Sequence, residues 1–366
     1  MKGYWLGLAV ICPVFAQPPA SFSVDVKLVR VPCSVTRPNG TPVQNLRKED
    51  FIVLEDGKAQ EVKYLWQELD LPITLVVVAD VSCGSMGIFR SHPNQLAEEI
   101  TQLFDRVLSS SDRAAIVAVT DQARLLTDLT GSIEKLRCGA ANLRVVTDDK
   151  DRLGSEASGV RNAGGPILGV PCIGTNPTRW SGNPWPCGFA ALWNGVYFSA
   201  RLGLRPQKGP KAIVLFAPGL DTGSDRGLKD AVAECQQAGA LVYSIRRAGR
   251  AFLDSAVDPT MAAEATPRGG IMEPPKTEAT RSFAYFYARE KPDMEEIARD
   301  TGGLMFDGKD SKFAEICDRI QSDLRNQYVL AYTPATAHST RTFHKLQVKL
   351  TSPGLKVRTQ DGYYAQ

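Results

Sequence analysis

The chain has 366 residues, 43% of them hydrophobic and 23% charged, with a formal net charge of +3. This composition is typical of a globular protein with room for more than one hydrophobic core, and so small a charge gives no reason to expect nucleic acid or an anionic membrane as a partner. After the first residues, no apolar run approaches the roughly 20 residues that a membrane span needs.

The first 16 residues are predicted to form a signal peptide. Lys2 gives a positive start, an apolar stretch runs from Tyr4 to Cys12, and the small residue Ala16 ends a plausible cleavage site. A short buried helix is the alternative, but Pro13 would break it. A lipid anchor on Cys12 is a further alternative. We expect the mature protein to be secreted or periplasmic.

Export makes disulfides possible. Removal of Cys12 leaves seven of the eight cysteines, so at least one has no partner within the chain. Cys172 and Cys187 are the best candidates for a disulfide, since they enclose a loop rich in Pro, Gly and Trp. Cys235 and Cys317 lie on apolar stripes, which predicts buried thiols.

Residues 22–69 are predicted to form the N-terminal half of a β-sandwich. Apolar residues alternate from Phe22 to Val35 with one slip in phase, which indicates a bulge. The turn Glu55-Asp56-Gly57 between alternating segments predicts a hairpin. About four strands are too few for a sandwich, so we expect partners from elsewhere in the chain.

Residues 70–325 alternate between strand and helix patterns. The uninterrupted apolar run Ile73–Ala79 predicts a central strand of a parallel sheet, covered on both faces. The strand predicted at 124–129 follows its predecessor so closely that the two must pair antiparallel. Two long insertions, 139–187 and 246–291, show no such alternation. Further strands are predicted at 114–119, 211–216, 241–245 and 304–306, and helices at 96–108, 189–202, 227–238, 294–300 and 311–324.

Residues 326–366 return to strand patterns, as in the alternating Tyr328, Leu330 and Tyr332. They are predicted to supply the C-terminal half of a sandwich of about seven strands. The predicted fold class is therefore α/β: a doubly wound, mostly parallel sheet inserted in a smaller, discontinuous β-sandwich.

The central strand ends on Asp80, which Ser82 and Ser85 follow. Ligands of open α/β sheets bind at the carboxyl ends of the strands, so this edge is the candidate site. The motif resembles the Asp-x-Ser-x-Ser metal site of von Willebrand factor A (vWA) domains, although an added residue displaces Ser85. Co-linear stretches resemble the bacterial secreted VWFA-related subfamily: Glu49-Asp50-Phe51 through Gly57, Ala191-Leu192-Trp193-Asn194, Thr301-Gly302-Gly303, Gln327–Pro334 and Gly362-Tyr363-Tyr364.

The resemblance implies a six-stranded vWA sheet with one antiparallel edge strand, and protein binding through a divalent ion in place of catalysis. Mg²⁺ or Mn²⁺ would be held by oxygen atoms of Asp80, Ser82 and Ser85, and would accept an acidic side chain of a partner protein as its last ligand.

Two other positions depart from the family pattern. Ala190 stands where the family has threonine, and Pro218 stands where it has aspartate. Asp221 and Ser224 would compensate if their loop folds back. The alternative is a degenerate site in which Asp80 caps the following helix or binds loop amides.

Both insertions should emerge over Asp80. There Cys83 would lie within reach of a disulfide with Cys138, Cys172 or Cys187. A set of tryptophans fits interface chemistry, or else packs the loop onto its own domain; it comprises Trp180, Trp185 and Trp193.

The preferred function is an exported vWA-like module for protein interaction or adhesion. A structural or envelope-assembly protein is the alternative, and a hydrolase is a weaker one. No phosphate loop, nucleophile elbow or metal-binding histidine spacing occurs, and no histidine is assignable as a base to Ser82, so we expect no enzyme activity. The three histidines are interpreted as surface residues: His92, His338 and His344.

Overall fold

The computed structural model of the protein describes residues 28–67, 71–82, 94–120, 122–151, 190–219, 221, 223–246, 293–307, 312–334 and 342–365. The predicted signal peptide, the Cys172–Cys187 pair and most of both insertions lie outside these residues. Within the described ranges, no helix has the length and apolar character needed to cross a membrane.

Fourteen strands and six helices are described. The strands are β1 (Val29–Thr36), β2 (Phe51–Glu55), β3 (Lys58–Gln60), β4 (Tyr64–Gln67), β5 (Thr74–Asp80), β6 (Arg113–Val119), β7 (Ala123–Thr130), β8 (Lys211–Ala217), β9 (Ala240–Arg246), β10 (Met305–Asp307), β11 (Gln327–Tyr332), β12 (Phe343–Leu350), β13 (Lys356–Thr359) and β14 (Gly362–Tyr364). The helices are α1 (Gln95–Val107), α2 (Ile133–Asp151), α3 (Leu192–Phe198, continued as a π-helix over Ser199–Leu204), α4 (Leu228–Ala238), α5 (293–300) and α6 (Phe313–Arg325).

A six-stranded sheet forms the centre of the molecule, in the order β10-β9-β8-β5-β6-β7. All neighbours pair parallel except β6 and β7, which pair antiparallel. The connection between those two strands is too short for a crossover. This arrangement confirms the predicted sheet with one antiparallel edge strand.

Helices cover both faces of this sheet. Alternate residues of β5 enter two cores: Leu75 and Val77 pack with α1, α2 and α6, while Val76 and Val78 pack with α3, α4 and α5. Every residue of β5 is buried. The continuous apolar sequence of the strand follows from this two-sided burial.

Helix α2 was not predicted, because glycine and charged residues obscured its pattern. Its inner face nevertheless carries Leu136, Ala140 and Leu143, which are buried at helical spacing. A β-carbon on Gly139 would lie 1.9 Å from Thr127 Oγ1. The glycine therefore lets the helix approach the antiparallel edge of the sheet closely.

Two further four-stranded sheets pack around a third core. Their orders are β13-β1-β11-β4 and β14-β12-β2-β3. In both, strands from the start of the chain pair antiparallel with strands from its end, as β1 does with β11 and β2 with β12. The sandwich has eight described strands in place of about seven, since β14 adds to β12.

Asp112, directly before β6, binds residues at both points where the chain passes between the β-sandwich and the α/β unit. Its carboxylate accepts bonds from the Ile73 amide at 2.7 Å and from the Ser109 amide at 2.6 Å. It also pairs with Arg325, the last residue of α6, two residues before β11. Burial alone would raise the pKa of this carboxyl, but the Ser109 and Ile73 amides, the Ser109 hydroxyl and Arg325 together bring the pKa below its ordinary value.

We expect Asp112→Asn to lower the free energy of unfolding at pH 7 by about 3 kcal/mol, because the Arg325 charge and a buried amide lose their acceptor. The pKa of Asp112 is lower in the folded protein than in the unfolded chain. Its contribution to the free energy of unfolding is therefore present above about pH 3.9 and is lost as the pH falls through the pKa of the folded state. Urea unfolding at neutral and acidic pH should show the two proteins converging. Asp128→Asn, on the exposed side of β7, is the control; a constant difference at all pH values would contradict the prediction.

Candidate functional site

Asp80 and Ser82 lie at the carboxyl end of β5, as predicted. They are 1% and 3% exposed. The Ser82 amide donates a hydrogen bond of 2.8 Å to Asp80 Oδ1, so the aspartate organises the backbone that leaves the strand. Ser85 lies outside the described residues, and its predicted role stays a prediction.

A rim of ordered loops surrounds this strand end. The Ala191 amide bonds the Thr120 carbonyl at 2.7 Å, which joins the start of α3 to the end of β6. The Gly223 amide bonds the Ala190 carbonyl at 3.1 Å, which joins the loop after β8 to the same segment. The loops after β6 and β8, the two strands that flank β5, are therefore both joined to the segment before α3 at one edge.

Asp221 and Ser224 cap the N-terminus of α3. Asp221 Oδ1 accepts bonds from the Leu192 amide at 2.8 Å and the Trp193 amide at 3.3 Å, and from the Ser224 hydroxyl at 2.5 Å. Ser224 Oγ accepts a bond from the Asn194 amide at 3.0 Å. Four donors at the start of a helix need such acceptors, and here a distant loop supplies them.

The electrostatics of this cap have two opposing causes. Burial raises the pKa of the Asp221 carboxyl, and the bonds from Ser224, Trp193 and Leu192 offset part of that rise, so that the pKa stays above its ordinary value. The helix dipole favours a negative charge at this position. Capping thus gives Asp221 a structural task, and its predicted contact with a metal ion stays a prediction.

We expect Asp221→Ala to destabilise the fold by about 1–2 kcal/mol, the range for loss of a helix N-cap. Asp221→Asn retains an oxygen acceptor and should cost less. Thermal unfolding, with Asp225→Ala at the exposed neighbouring position as control, measures both. Equal effects of the alanine and asparagine variants would contradict a capping role.

The described donor atoms fit a strongly hydrated ion poorly. Ala190 and Pro218 stand at two positions of the family pattern, and neither has a side-chain oxygen. One Asp80 oxygen already accepts an amide bond. Mg²⁺ prefers six oxygen ligands in near-octahedral geometry, and Asp80 and Ser82 supply only a minority of them.

Of the three tryptophans predicted to bind a partner, Trp193 lies within the described residues. Trp193 is 3% exposed and packs in the core between the sheet and α3. That burial favours the alternative in which it packs onto its own domain. Trp180 and Trp185 lie outside the described residues.

A second polar cluster lies between β2, β12 and β14. His344 Nδ1 is 2.8 Å from Asp56 Oδ2, and Glu55 Oε2 accepts bonds from the Tyr332 and Tyr363 hydroxyls. The interpretation of His344 as a surface residue was wrong: it is 7% exposed, because it takes an inward position in the alternation of β12.

Candidate ligand atoms of Glu55, Asp56 and His344 all lie within 4.8 Å of one another. The hydrogen bonds above already explain this convergence. Burial, followed by the bond to Glu55, raises the pKa of both Tyr332 and Tyr363. Both phenols therefore stay protonated and donate to the carboxylate, as a structural network would require.

The described cysteines divide into two groups. Cys33, Cys235 and Cys317 carry free, buried thiols, and burial raises the pKa of Cys33 to about 12, which makes such a thiol unreactive. The predictions for Cys235 and Cys317 agree with this. Cys138 is disulfide-bonded, and its partner lies outside the described residues.

Comparison with known proteins gives similarity of fold only. No family model matches the sequence, and no curated protein matches it. Similar solved structures include the conserved hypothetical protein BatB from Bacteroides thetaiotaomicron (13% identity, covering 68% of this chain and 97% of that chain, TM-score 0.38). A second is a von Willebrand factor type A protein from Catenulispora acidiphila (10% identity, covering 94% of this chain and 76% of that chain, TM-score 0.37). A third is manganese-loaded TRAP protein from Plasmodium vivax (12% identity, covering 82% of this chain and 98% of that chain, TM-score 0.34).

At these identities and TM-scores, the similarities carry no argument about function. The fold is assigned on the chain's own features. Its central sheet has six strands, one antiparallel edge and helices on both faces, and its central parallel strand ends on Asp80, which Ser82 follows. The α/β part of this chain therefore has a vWA-like fold.

Proposed function

We propose that the chain is an exported binding module that recognises another protein through the carboxyl edge of its six-stranded sheet. The observation that carries this proposal is the ordered rim beside Asp80. Asp221 and Ser224 fix the start of α3, and backbone bonds join the segment before it to Thr120, after β6, and to Gly223, after β8. A rim held in one conformation loses little entropy on binding, which favours recognition.

We further propose that the metal site is degenerate and that binding does not depend on Mg²⁺ or Mn²⁺. Support comes from Ala190 and Pro218, which bring no side-chain oxygen to the positions where the family has threonine and aspartate. Without an ion, an acidic side chain of a partner has no ligand to replace. Recognition then rests on the shape of the loops.

Export is supported by two features of the chain. Its first 16 residues have the pattern of a signal peptide. Cys138 is disulfide-bonded, and such bonds persist in oxidising compartments. We propose a secreted or periplasmic location and a binding role without catalysis.

Site-specific photo-crosslinking tests the proposed surface. A benzophenone amino acid would replace Gln122, after β6, or Asp225, after β8; both are exposed at the carboxyl edge. Lys208, exposed before β8 at the opposite edge, is the control position. The full chain would be irradiated with exported proteins of the producing organism, in Mg²⁺ and in EDTA.

We expect the same crosslinked protein from positions 122 and 225, no product from 208, and no change in EDTA. Products from 208 alone, or equal products from all three positions, would overturn the binding edge and favour the structural or envelope-assembly alternative. Products that vanish in EDTA and return with Mg²⁺ would keep the binding edge but overturn the degenerate metal site.

A further inference from the structure

Strand β4 forms the margin of a groove in the β-sandwich. It is the last strand of its sheet, and within the described residues it pairs with β11 alone. A shallow depression of about 520 Å³ is lined by Lys63 and the β4 residues 64–66, and by residues 47–49 at the start of the short 3₁₀ helix Lys48–Asp50. The groove therefore follows a strand whose outer side has no strand neighbour in the described structure.

The groove has aromatic side chains in reach of solvent. Tyr64 is 55% exposed, and Arg30 lies over the ring of Trp66, 5.3 Å from its centroid. Arg30, Ala331 and Tyr64 lie in register across three strands, so the cationic and aromatic groups share one face. Tyrosine and tryptophan offer large contact area with a polar edge, a combination enriched at protein interfaces.

The charge of the groove is mainly positive. Arg47, Lys48 and Lys63 line it together with one acidic residue, Glu49. All four are exposed. An anionic ligand is therefore favoured, and its association should weaken with salt, because exposed charges are screened within about 8–10 Å at moderate ionic strength.

We propose that this groove binds an extended acidic segment of a partner protein, which adds to β4 as a further strand. The outer backbone of β4 would form the hydrogen-bond ladder, and pockets beside it would read alternate side chains. Successive same-face residues of such a strand lie about 7 Å apart, so carboxylates at alternate positions would face the basic side chains. This surface is separate from the carboxyl edge of the vWA-like sheet.

A peptide experiment tests the proposal. The probe is a fluorescein-labelled ten-residue peptide of alternating valine and glutamate, titrated with the full mature chain and followed by fluorescence anisotropy. A second peptide carries N-methyl groups on alternate amides, which removes the donors needed for strand addition. A third has lysine in place of glutamate.

We expect saturable binding of the first peptide alone, weakened by salt. Lys48→Glu/Lys63→Glu should reduce its affinity about tenfold or more, as expected for removal of complementary charge. The matched control, Lys349→Glu/Lys356→Glu, changes net charge equally at exposed positions outside the groove and should leave affinity unchanged. Tyr64→Ala should weaken binding without loss of fold, which circular dichroism checks.

Several outcomes would overturn the proposal. Equal binding of the N-methylated peptide would exclude strand addition. An equal loss of affinity in both charge-reversal variants would show that binding depends on the net charge of the protein and not on the groove. Tighter binding of heparin or duplex DNA than of the peptide would assign the groove to polyanions. Binding that emerges only after residues 17–27 are deleted would assign the groove to the chain's own N-terminal segment. No binding at any salt concentration would also overturn the proposal. Lys63 would then serve only to prevent edge-to-edge association of β4 with other strands.

Discussion

Replacing Gly303 with alanine is expected to destabilise the protein by roughly 3 kcal/mol or more, because the added methyl group would overlap backbone. A β-carbon at this position would lie 2.0 Å from the Val242 carbonyl oxygen and 2.7 Å from its carbonyl carbon. Val242 is in the middle of β9, which is paired along its length with β8. The atoms in the way belong to the backbone of Val242, so no flexible side chain can move aside to make room.

The bonds around Gly303 explain why the segment cannot move away. The Gly303 amide bonds the Ala298 carbonyl at 2.8 Å, and the Ser244 amide bonds the Leu304 carbonyl at 2.9 Å. Thr301 Oγ1 accepts the Val242 amide at 3.1 Å and donates to the Ile297 carbonyl at 2.6 Å. The segment therefore supplies both the end of α5 and the start of β10.

Chemical denaturation of the alanine variant measures the effect, and Gly227→Ala is the matched control. Gly227 has a negative φ, and no atom lies within 4 Å of a β-carbon there, so its replacement should cost a few tenths of a kcal/mol to about 1 kcal/mol as a change of N-cap. If Gly303→Ala fails to accumulate at the usual expression temperature, we expect that it can be recovered by expression at low temperature. Its denaturation midpoint should then be lower than that of the unchanged chain. A midpoint equal to that of the Gly227 variant would show that the close approach is not present in solution.

The sequence predicted the central sheet well because its signal is local. An unbroken apolar run from Ile73 to Ala79 has one simple explanation, which is burial on both faces. The short link before β7 allowed only antiparallel pairing. Pairing of the two chain ends also followed, since neither half of the sandwich had enough strands alone.

The sequence could not reveal features that depend on distant contacts. Thr301-Gly302-Gly303 was noticed only through a resemblance, and its reason, contact with Val242, requires coordinates. His344 was misplaced because a lone histidine carries no sign of burial; the inward register of β12 decides it. The contact of Asp221 with a metal ion stays a prediction, and its role in capping a helix 29 residues away in sequence has no local signature.

Arg358 is the second position where we expect a large effect, because it joins the sandwich to the α/β unit. From β13 its guanidinium donates to the Gly303 carbonyl at 2.9 Å and to the Gly302 carbonyl at 3.3 Å, and it pairs with Asp323 of α6. The other Asp323 oxygen accepts a bond of 2.7 Å from the Tyr243 hydroxyl. Side chains of Arg358 and Asp323 are 22% and 2% exposed.

We expect Arg358→Ala to lower the free energy of unfolding by about 3 kcal/mol, since it leaves a buried carboxylate without its cation and two carbonyls without their donor. Arg106→Ala is the matched control. Arg106 also pairs with a carboxylate of α6, Asp318, at 2.7 Å, but the two side chains are 42% and 59% exposed, so we expect no more than about 1 kcal/mol. Equal effects of the two substitutions would contradict the role assigned to Arg358.

A double-mutant cycle with Tyr243 separates the loss of the Arg358–Asp323 ion pair from a simple loss of packing. Tyr243→Phe removes one hydrogen bond to Asp323 and should cost about 1 kcal/mol in the wild-type chain. Burial, followed by the charge of Asp323, raises the pKa of the Tyr243 phenol, so the phenol is protonated and donates at neutral pH. Without Arg358, this donor becomes the main partner of the buried carboxylate, and Tyr243→Phe should then cost clearly more. Additive effects would show that the three side chains do not act as one network, and hydrogen exchange confined to β13 in the Arg358 variant would locate the loosened contact.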